Sequence, residues 1–429
     1  MRAWTRPEVP RLSGTGSVPR LYDSASRSVL TARPDGRAAI YVCGITPYDT
    51  THLGHAATYL AYDTLIRLWL DAGYAVDFVQ NTTDVDDPLL ERAARDGVDW
   101  RELAAEQTDL FRADMERLQI IPPDHYIAVT EVVTEVAEAV RELLDRGIAY
   151  PVDSEGAAPD LYFDSAAAEK AGVQHPGTPA PWHLGAECNL DRATMLELNS
   201  ERGGDPQRPG KRDALDPVLW RSARPGEPHW DTVLGRGRPG WHIECAVIAA
   251  KYLPTPITVN GGGSDLIFPH HEFSAGHVAA LTGHALAQIY SHAGLVAYHG
   301  EKMSKSLGNL VLVSKLVAEG TDPRAIRLAL LSEHYRSDWE WTDAHLVTAE
   351  ARLAAWDEWA ARAGADQPES GSPDEGTTEL RELLADDLGS PSALRAIDAR
   401  IASGALCTVT LVTAIHALLG IRLRSLPAG

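Results

Sequence analysis

Ala38-Ala39-Ile40-Tyr41-Val42, followed by Cys43-Gly44-Ile45-Thr46-Pro47-Tyr48-Asp49 and then His52-Leu53-Gly54-His55, is the stretch on which the fold turns. The unbroken run from Ala38 to Val42 reads as a buried strand. Gly44 through Gly54 reads as the loop that leaves it. From Ala56 onward Ala57, Leu60, Ala61, Thr64, Leu65 and Leu68 recur at helical spacing, and Gly73 ends the helix. Ala75 to Val79 is the next strand. A strand, loop, helix and strand of this size is what a parallel crossover requires, so the first domain is predicted to be doubly wound α/β. Such sheets bind ligands where loops leave the carboxyl ends of strands, and His52-Leu53-Gly54-His55 sits in such a loop.

Outward from this unit, residues 1–37, with Pro, Arg, Ser and Gly among few apolar positions, read as an arm laid over the surface. Residues 38–150 form the first half of the catalytic domain, and 88–148 within it are dominated by helical patterns. Residues 151–217 mix Gly, Pro and short apolar pieces and look inserted. The second half of the catalytic domain is set at 218–312: Pro256 to Asn260 returns to the sheet before Gly261-Gly262-Gly263-Ser264-Asp265, and a helix follows around His271 to Leu281. Ile289 to Tyr298 then reads as a strand that delivers Lys302-Met303-Ser304-Lys305-Ser306. Residues 313–429 form a C-terminal helical domain, broken by a polar stretch from Gly364 to Thr377.

Composition excludes several classes. With 429 residues, 44% hydrophobic and 23% charged, the chain can bury a large core in two or three domains. No apolar run approaches a membrane span, and Met1 to Pro7 lacks the apolar core of a secretory leader, so a cytoplasmic protein is expected. Cys43, Cys188, Cys245 and Cys407 are too dispersed for a disulfide framework and remain available as thiols or ligands. A net charge of −21 repels polyanions in general. A monomer without nucleic-acid or membrane partners is the expectation.

Two segments carry the chemistry. In His52-Leu53-Gly54-His55 the glycine admits a phosphate to the backbone, the helix start offers free amides, and His52 and His55 can donate to phosphate oxygens. In the second segment Lys302 and Lys305 can neutralise a departing pyrophosphate. Taken singly, the histidines read equally well as ordinary loop residues and the lysines as a solvated loop. Together they make an ATP site, and an ATP site of this kind suits an enzyme that activates a carboxylate.

The order and wording of these motifs resemble the class I aminoacyl-tRNA synthetases, whose HIGH and KMSKS signatures lie on a Rossmann-like catalytic domain with an inserted connective region and a C-terminal helical bundle. Within that class the likeness is to the cysteinyl group. It spans roughly residues 38 to 340 and includes Thr83-Asp84-Val85-Asp86-Asp87, Arg238 to Cys245, Gly261 to Asp265, Phe268-Pro269-His270-His271-Glu272 and Lys302 to Asn309. The resemblance implies one Zn2+ held by Cys43, Cys245 and His270, with a glutamate four residues after the histidine. That position is Ser274 here, which leaves a three-ligand site with one tetrahedral corner open. The expected occupant is the thiolate of substrate cysteine; serine, a harder ligand that ionises with difficulty, would be rejected. By the same resemblance Cys43, Gly44, Ile45, Thr46, Thr58, Asn81, Thr82, Thr83 and Trp241 line the cysteinyl-adenylate pocket. Gly263, Ser264, Asp265 and the backbone at Val296 lie near ribose and adenine, and ATP brings Mg2+.

Ser274 is one of three departures from the tRNA-charging pattern. Asp86-Asp87-Pro88 stands where those enzymes read Asp-Asp-Lys, and Glu201-Arg202-Gly203-Gly204-Asp205-Pro206 is a further signature. With Ile45-Thr46-Pro47-Tyr48-Asp49, these features resemble the paralogous ligases of mycothiol biosynthesis, which join cysteine to the amine of 1D-myo-inositol 2-amino-2-deoxy-α-D-glucopyranoside (GlcN-Ins). Charge agrees: residues 343–429 hold thirteen Asp and Glu, seven Arg and no Lys, a poor complement for an anticodon stem. A cysteinyl-tRNA synthetase is the alternative, since such enzymes can confine basic residues to one groove. Sequence does not identify the base for amine attack. Asp84 and Asp205 are candidates, and the loop from Glu201 to Pro206 is either acceptor-shaping or a structural turn.

Overall fold

The computed structural model describes the chain except residues 49–50, 173–181, 304–308, 363–373 and 425–429, and the side chain of Lys302. Strands β1 (Arg20–Asp23) and β2 (Ser28–Thr31) form a hairpin, and β3 (Ala38–Val42) follows, with all five residues buried. Next come α1 (Leu53–Asp71), β4 (Val76–Thr82), α2 (Asp87–Asp96), α3 (Trp100–Arg117), β5 (His125–Ala128) and α4 (Val133–Asp145). Strands β6 (Ala149–Ser154) and β7 (Ala157–Phe163), helices α5 (Ser165–Gly172) and α6 (Arg192–Glu201), and strands β8 (Val218–Ser222), β9 (Trp230–Thr232) and β10 (Gly235–Pro239) make up the insertion. Then follow α7 (Trp241–Tyr252), β11 (Ile257–Gly263), a wide turn Ile267–His271, α8 (Glu272–Thr282), β12 (Ala287–Ala293), β13 (Val296–Tyr298) and β14 (Glu301–Lys302). The remainder is α9 (Val313–Ala318), α10 (Pro323–Leu331), β15 (Trp339–Glu340), α11 (Asp343–Ala360), α12 (Glu375–Ala385), α13 (Ser390–Ala402) and α14 (Val409–Leu419).

The central sheet runs β12-β11-β3-β4-β5, every pair parallel. From β3 the chain goes to β4 and β5 on one side, then returns to β11 and β12 on the other. The strand order therefore reverses between β3 and β11, the crevice where an open α/β sheet takes its ligand. Cys43 N–H donates to Gly261 O across that crevice at 3.1 Å.

Helix α1 is buried on nearly every side because it lies between this sheet and the C-terminal helices. A single apolar cluster runs from Ile40 and Val42 through Leu60 and Trp69 to Trp356, Leu394 and Leu418. Inside it Asp63 accepts from Arg67 Nε at 2.8 Å, from Arg327 Nη2 and from Ile121 N at 2.9 Å. Arg67 and Arg327 also donate to Ala417 O and Leu419 O, so the later half of α1 is braced from behind by the C-terminal bundle.

Three details differ from the sequence expectations. The N-terminal segment is more than a surface arm: Trp4 is buried and its Nε1 donates to Ile120 O, while Asp23 Oδ1 takes the N–H of Tyr290. The expected strand from Ile289 to Tyr298 is two strands, because Gly294 donates to Tyr335 O and turns the chain. The antiparallel sheet of the insertion, ordered β6-β7-β8-β10-β9, draws on residues either side of 151–217, since Val218 to Ser222 pair with β7 and Gly235 to Pro239 with β8.

Candidate active site

Cys43 comes from the end of β3, Cys245 from α7 and His270 from the turn before α8, and their ligand atoms all lie within 4.8 Å of one another, fully buried. Burial, and after it the adjacent Cys43 thiol, pushes the Cys245 thiol well up. A thiol so placed ionises when a cation joins it, and soft sulfur with imidazole is the donor set that zinc prefers. Burial also holds His270 well below the ordinary imidazole range, in the neutral form that ligates metals. His242 Nδ1 lies 3.0 Å from His270 Nδ1 and Trp241 packs 4.6 Å from the same ring, which fixes its orientation. The residues therefore fit a zinc ion. Ser274, on α8, donates to His242 O at 3.1 Å and stands outside the three-donor group.

A row of side chains extends behind this cluster. Cys43 Sγ lies 3.2 Å from His271 Nε2, His271 Nδ1 lies 2.7 Å from His292 Nε2, and His292 Nδ1 lies 2.8 Å from Ser24 Oγ. Burial lowers His292 to about 3 and His271 well below its usual range, so both rings stay neutral. The N-terminal hairpin thus reaches the metal cluster through two imidazoles. His242 and His271 stood inside motifs already singled out, but His292 and Ser24 carried no signal of their own.

Beside the cysteines the pocket wall is a connected polar chain. Asn81 Oδ1 accepts from Tyr41 OH at 3.0 Å and from Gly44 N at 2.8 Å. Asn81 Nδ2 donates to Thr83 Oγ1, which donates to Glu244 Oε1, each at 3.1 Å. Gly44 admits no side chain, because a Cβ there would fall 1.6 Å from Asn81 O. Burial, then the Cys245 and Cys43 thiols, raises Tyr41 well above the phenol range and keeps it a donor. Thr82 is buried, and Ile45 O accepts from Thr83 N at 2.9 Å. Thr46 O accepts from Tyr48 N at 2.8 Å.

His52 caps α1 by accepting from Gly54 N at 3.1 Å, and its ring stacks on His55 at 3.9 Å. A Cβ on Gly54 would press within 2.9 Å of the His52 ring and 3.9 Å from Val296, so only glycine leaves this surface open. Thr58 Oγ1 donates to Gly54 O one turn on. The two motifs meet through backbone: His52 bridges to Leu312, and Leu53 N donates to Val311 O at 2.9 Å. Lys302 pairs with Ala297 across β13 and β14, and Asn309 Nδ2 donates to Tyr298 O at 3.0 Å, so both feet of the lysine loop are tied down. Lys305 lies outside the described residues.

Gly263, Ser264 and Asp265 leave β11 at the same end of the sheet, and a Cβ on Gly263 would sit 2.6 Å from Asp265 Oδ1. Arg202 clamps this turn, its Nη1 donating to Asp265 O at 2.5 Å and to Phe268 O. The Glu201-to-Pro206 signature is thus anchored to the turn that follows β11, a role that sequence reading did not give to Arg202. Both candidate bases are engaged elsewhere: Asp84 accepts from Thr130 N and Oγ1 at 3.0 and 2.6 Å, and Asp205 from Tyr162 OH and from Lys211 Nζ at 2.9 Å.

Residues 30–351 match the model of the tRNA synthetases class I (C) catalytic domain. The chain is 62% identical to a Clavibacter michiganensis subsp. michiganensis protein named L-cysteine:1D-myo-inositol 2-amino-2-deoxy-alpha-D-glucopyranoside ligase, over 99% of each chain. A Nakamurella multipartita protein of the same name is 53% identical over 99% of this chain and 100% of its own. Among solved structures, Mycobacterium tuberculosis methionyl-tRNA synthetase in complex with methionyl-adenylate aligns with TM-score 0.59 and 17% identity, covering 90% of this chain and 88% of that one. Agrobacterium radiobacter K84 agnB2 LeuRS, in a ternary complex with tRNA and LeuAMS, aligns with TM-score 0.61 and 13% identity, over 91% and 84%. At such identities the likeness is one of fold.

Proposed function

The chain belongs to the class I (C) tRNA synthetase family and, within it, to the L-cysteine:1D-myo-inositol 2-amino-2-deoxy-alpha-D-glucopyranoside ligases, and from that premise we propose that it joins cysteine to GlcN-Ins. The reaction consumes ATP, passes through cysteinyl-adenylate and releases AMP and diphosphate. The observation that carries this reading is the convergence of Cys43, Cys245 and His270 at the switch-point crevice, beside a wall built from Asn81, Thr83 and Trp241. Bound there, Zn2+ would hold the substrate sulfur as thiolate and discriminate against serine.

The chain's own groups do the rest. Thr46, Thr83 and Trp241 orient the amino acid so that its carboxylate faces the α-phosphorus of ATP, which enters with Mg2+. His52 and His55, at the amino end of α1, donate to phosphate oxygens, and Lys302 and Lys305 balance the charge that develops on diphosphate. Ser264 and Asp265 hold the ribose while the Val296 backbone flanks adenine. The aminosugar nitrogen then attacks the cysteinyl carbonyl, an amide forms, and the bond to AMP breaks.

Two observations favour the aminosugar over tRNA as acceptor. Ser274 is bonded to His242 O, so the helix after His270 brings no fourth ligand side chain to the cluster. In the C-terminal region five of the seven Arg, namely Arg352, Arg362, Arg381, Arg400 and Arg424, are paired with carboxylates, so much of its positive charge is already offset against an RNA stem. No helix among the described residues is long and apolar enough to cross a membrane. A monomeric enzyme of small molecules, working in the cytoplasm, is the form proposed. The test is a paired acceptor assay on protein of measured zinc content, with tRNA and with GlcN-Ins. Cysteine appearing on the aminosugar and not on tRNA is expected; the reverse overturns the assignment.

A further inference from the structure

At the start of α2, Asp86 Oδ1 accepts the N–H of Asp87 at 2.8 Å, and the carboxylate makes no other hydrogen bond among the described residues, its backbone O taking Leu90 N at 3.1 Å. Across from it, at the end of β10, Arg238 is 5% exposed, its Nη2 bonded to Asp87 and to Glu227, while its buried Nε–H has no acceptor among the described residues. An unpaired guanidinium N–H in this setting is a costly loose end that a ligand oxygen would satisfy. Both groups adjoin the pocket wall through the first turn of α7, where Trp241 and Glu244 lie and where Glu244 is bonded to Thr83. Resting on the reading of the chain as an aminosugar ligase, we infer that Asp86 receives the proton that the acceptor's ammonium must lose before it attacks, with Arg238 Nε donating to a neighbouring sugar hydroxyl.

Charge around Asp86 suits a cationic guest. Asp87 and Glu91 face it from its own helix and Glu244 from α7, against the guanidinium of Arg238, which shares its partners Asp87 and Glu227 with Arg221. Burial, with Asp87 and Glu91 adding to it, raises Asp86 to about 6, against the Asp87 N–H and Arg238 that lower it. A carboxylate so placed remains ionised at neutral pH and accepts a proton more readily than an ordinary one. The nitrogen gives up two protons in all: the first passes to Asp86 and frees the lone pair, and the second leaves with the phosphate of AMP as the C–N bond forms and the C–O bond breaks. Asp84 and Asp205, bound to Thr130, Tyr162 and Lys211, have no comparable freedom.

Asp86→Asn tests this in the zinc-loaded enzyme, because asparagine preserves the helix cap. Cysteine-dependent ATP–pyrophosphate exchange is expected to stay within about 2-fold of the parent while amide formation falls about 100-fold, the usual scale of general-base catalysis. The acid limb near pH 6 in kcat/KM for GlcN-Ins should vanish, and Asp86→Glu should restore part of the rate. Amide formation within about 3-fold of the parent, on the same catalytic scale, overturns the inference, and so does an equal loss of exchange and ligation. A parent enzyme that charges tRNA and ignores the aminosugar refutes instead the function on which the inference stands.

Discussion

Asp63 and Asp86 are carboxylates that the fold withdraws from water and then treats in opposite ways. Asp63, in the middle of α1, is clasped by Arg67 and Arg327, and those two charges hold it below the usual carboxylate range even though burial pushes the other way. Asp86, capping the start of α2, keeps only that bond on its carboxylate and is raised to about 6. The first charge is committed to holding the catalytic sheet against the C-terminal helices. The second carries no salt bridge among the described residues and on the inference above serves the acceptor, which is how structural and functional ionisable groups differ in general. The metal cluster is an intermediate case: its thiols are buried beside neutral rings, Cys43 Sγ against His271 Nε2, and burial holds the Cys245 thiol well up until a cation joins it.

The contrast is broken most severely at Asp63. Asp63→Ala strands Arg67 and Arg327 in the core, and urea unfolding should report a loss of about 3–5 kcal/mol with zinc per folded molecule unchanged. A loss below about 1 kcal/mol would place Asp63 with the exposed pairs instead. Next comes the cluster: His270→Ala should lose zinc and slow cysteine-dependent pyrophosphate exchange about 100-fold, in keeping with the loss of a catalytic metal's ligand, while the unfolding midpoint of the C-terminal helices is retained. Full zinc occupancy with full exchange would remove His270 from the ligand set.

The smallest effect is the most discriminating, because its sign differs between the two aspartates. A lowered carboxyl such as Asp63 stabilises the fold above the ordinary value of 3.8, and that stability is lost as pH falls through its lowered pKa. A carboxyl raised to about 6 does the opposite: it opposes folding while ionised above about 6 and is relieved as pH falls toward 3.8. Asp86→Asn should therefore be more stable than the parent by about 1–2 kcal/mol at pH 8, with the gap closing near pH 4. Denaturation curves at the two pH values measure it, and a variant equally stable at both would mean that Asp86 is an ordinary solvated cap.

Sequence made the centre of the sheet readable because β3 is covered on both faces and so runs as uninterrupted apolar residues, and because Gly73 closes α1. It missed β5, where Tyr126-Ile127-Ala128 is too short to stand out between helical patterns. The insertion was blurred for a different reason: its strands are joined by turns and carry Asp160, Arg221 and Arg238, whose charges are met in part by partners distant in sequence, Arg224 and Asp87. At the site, the histidine and lysine motifs were visible as local patterns, whereas no spacing rule links Cys43, Cys245 and His270. They reach one point only because β3, α7 and the turn before α8 converge at the reversal of strand order, and resemblance rather than periodicity named them. Ser24 and His292, Arg202 and Asp86 depend on packing between segments that composition does not connect.

X-ray absorption at the zinc edge, with and without cysteine, probes the metal centre itself. About one zinc per chain is expected, with two protein sulfurs as neighbours in the free enzyme, from Cys43 and Cys245, and a third when cysteine is added. A sulfur count that does not change with cysteine, or a folded and active enzyme without zinc, would contradict the proposal that an open metal corner captures the substrate thiol.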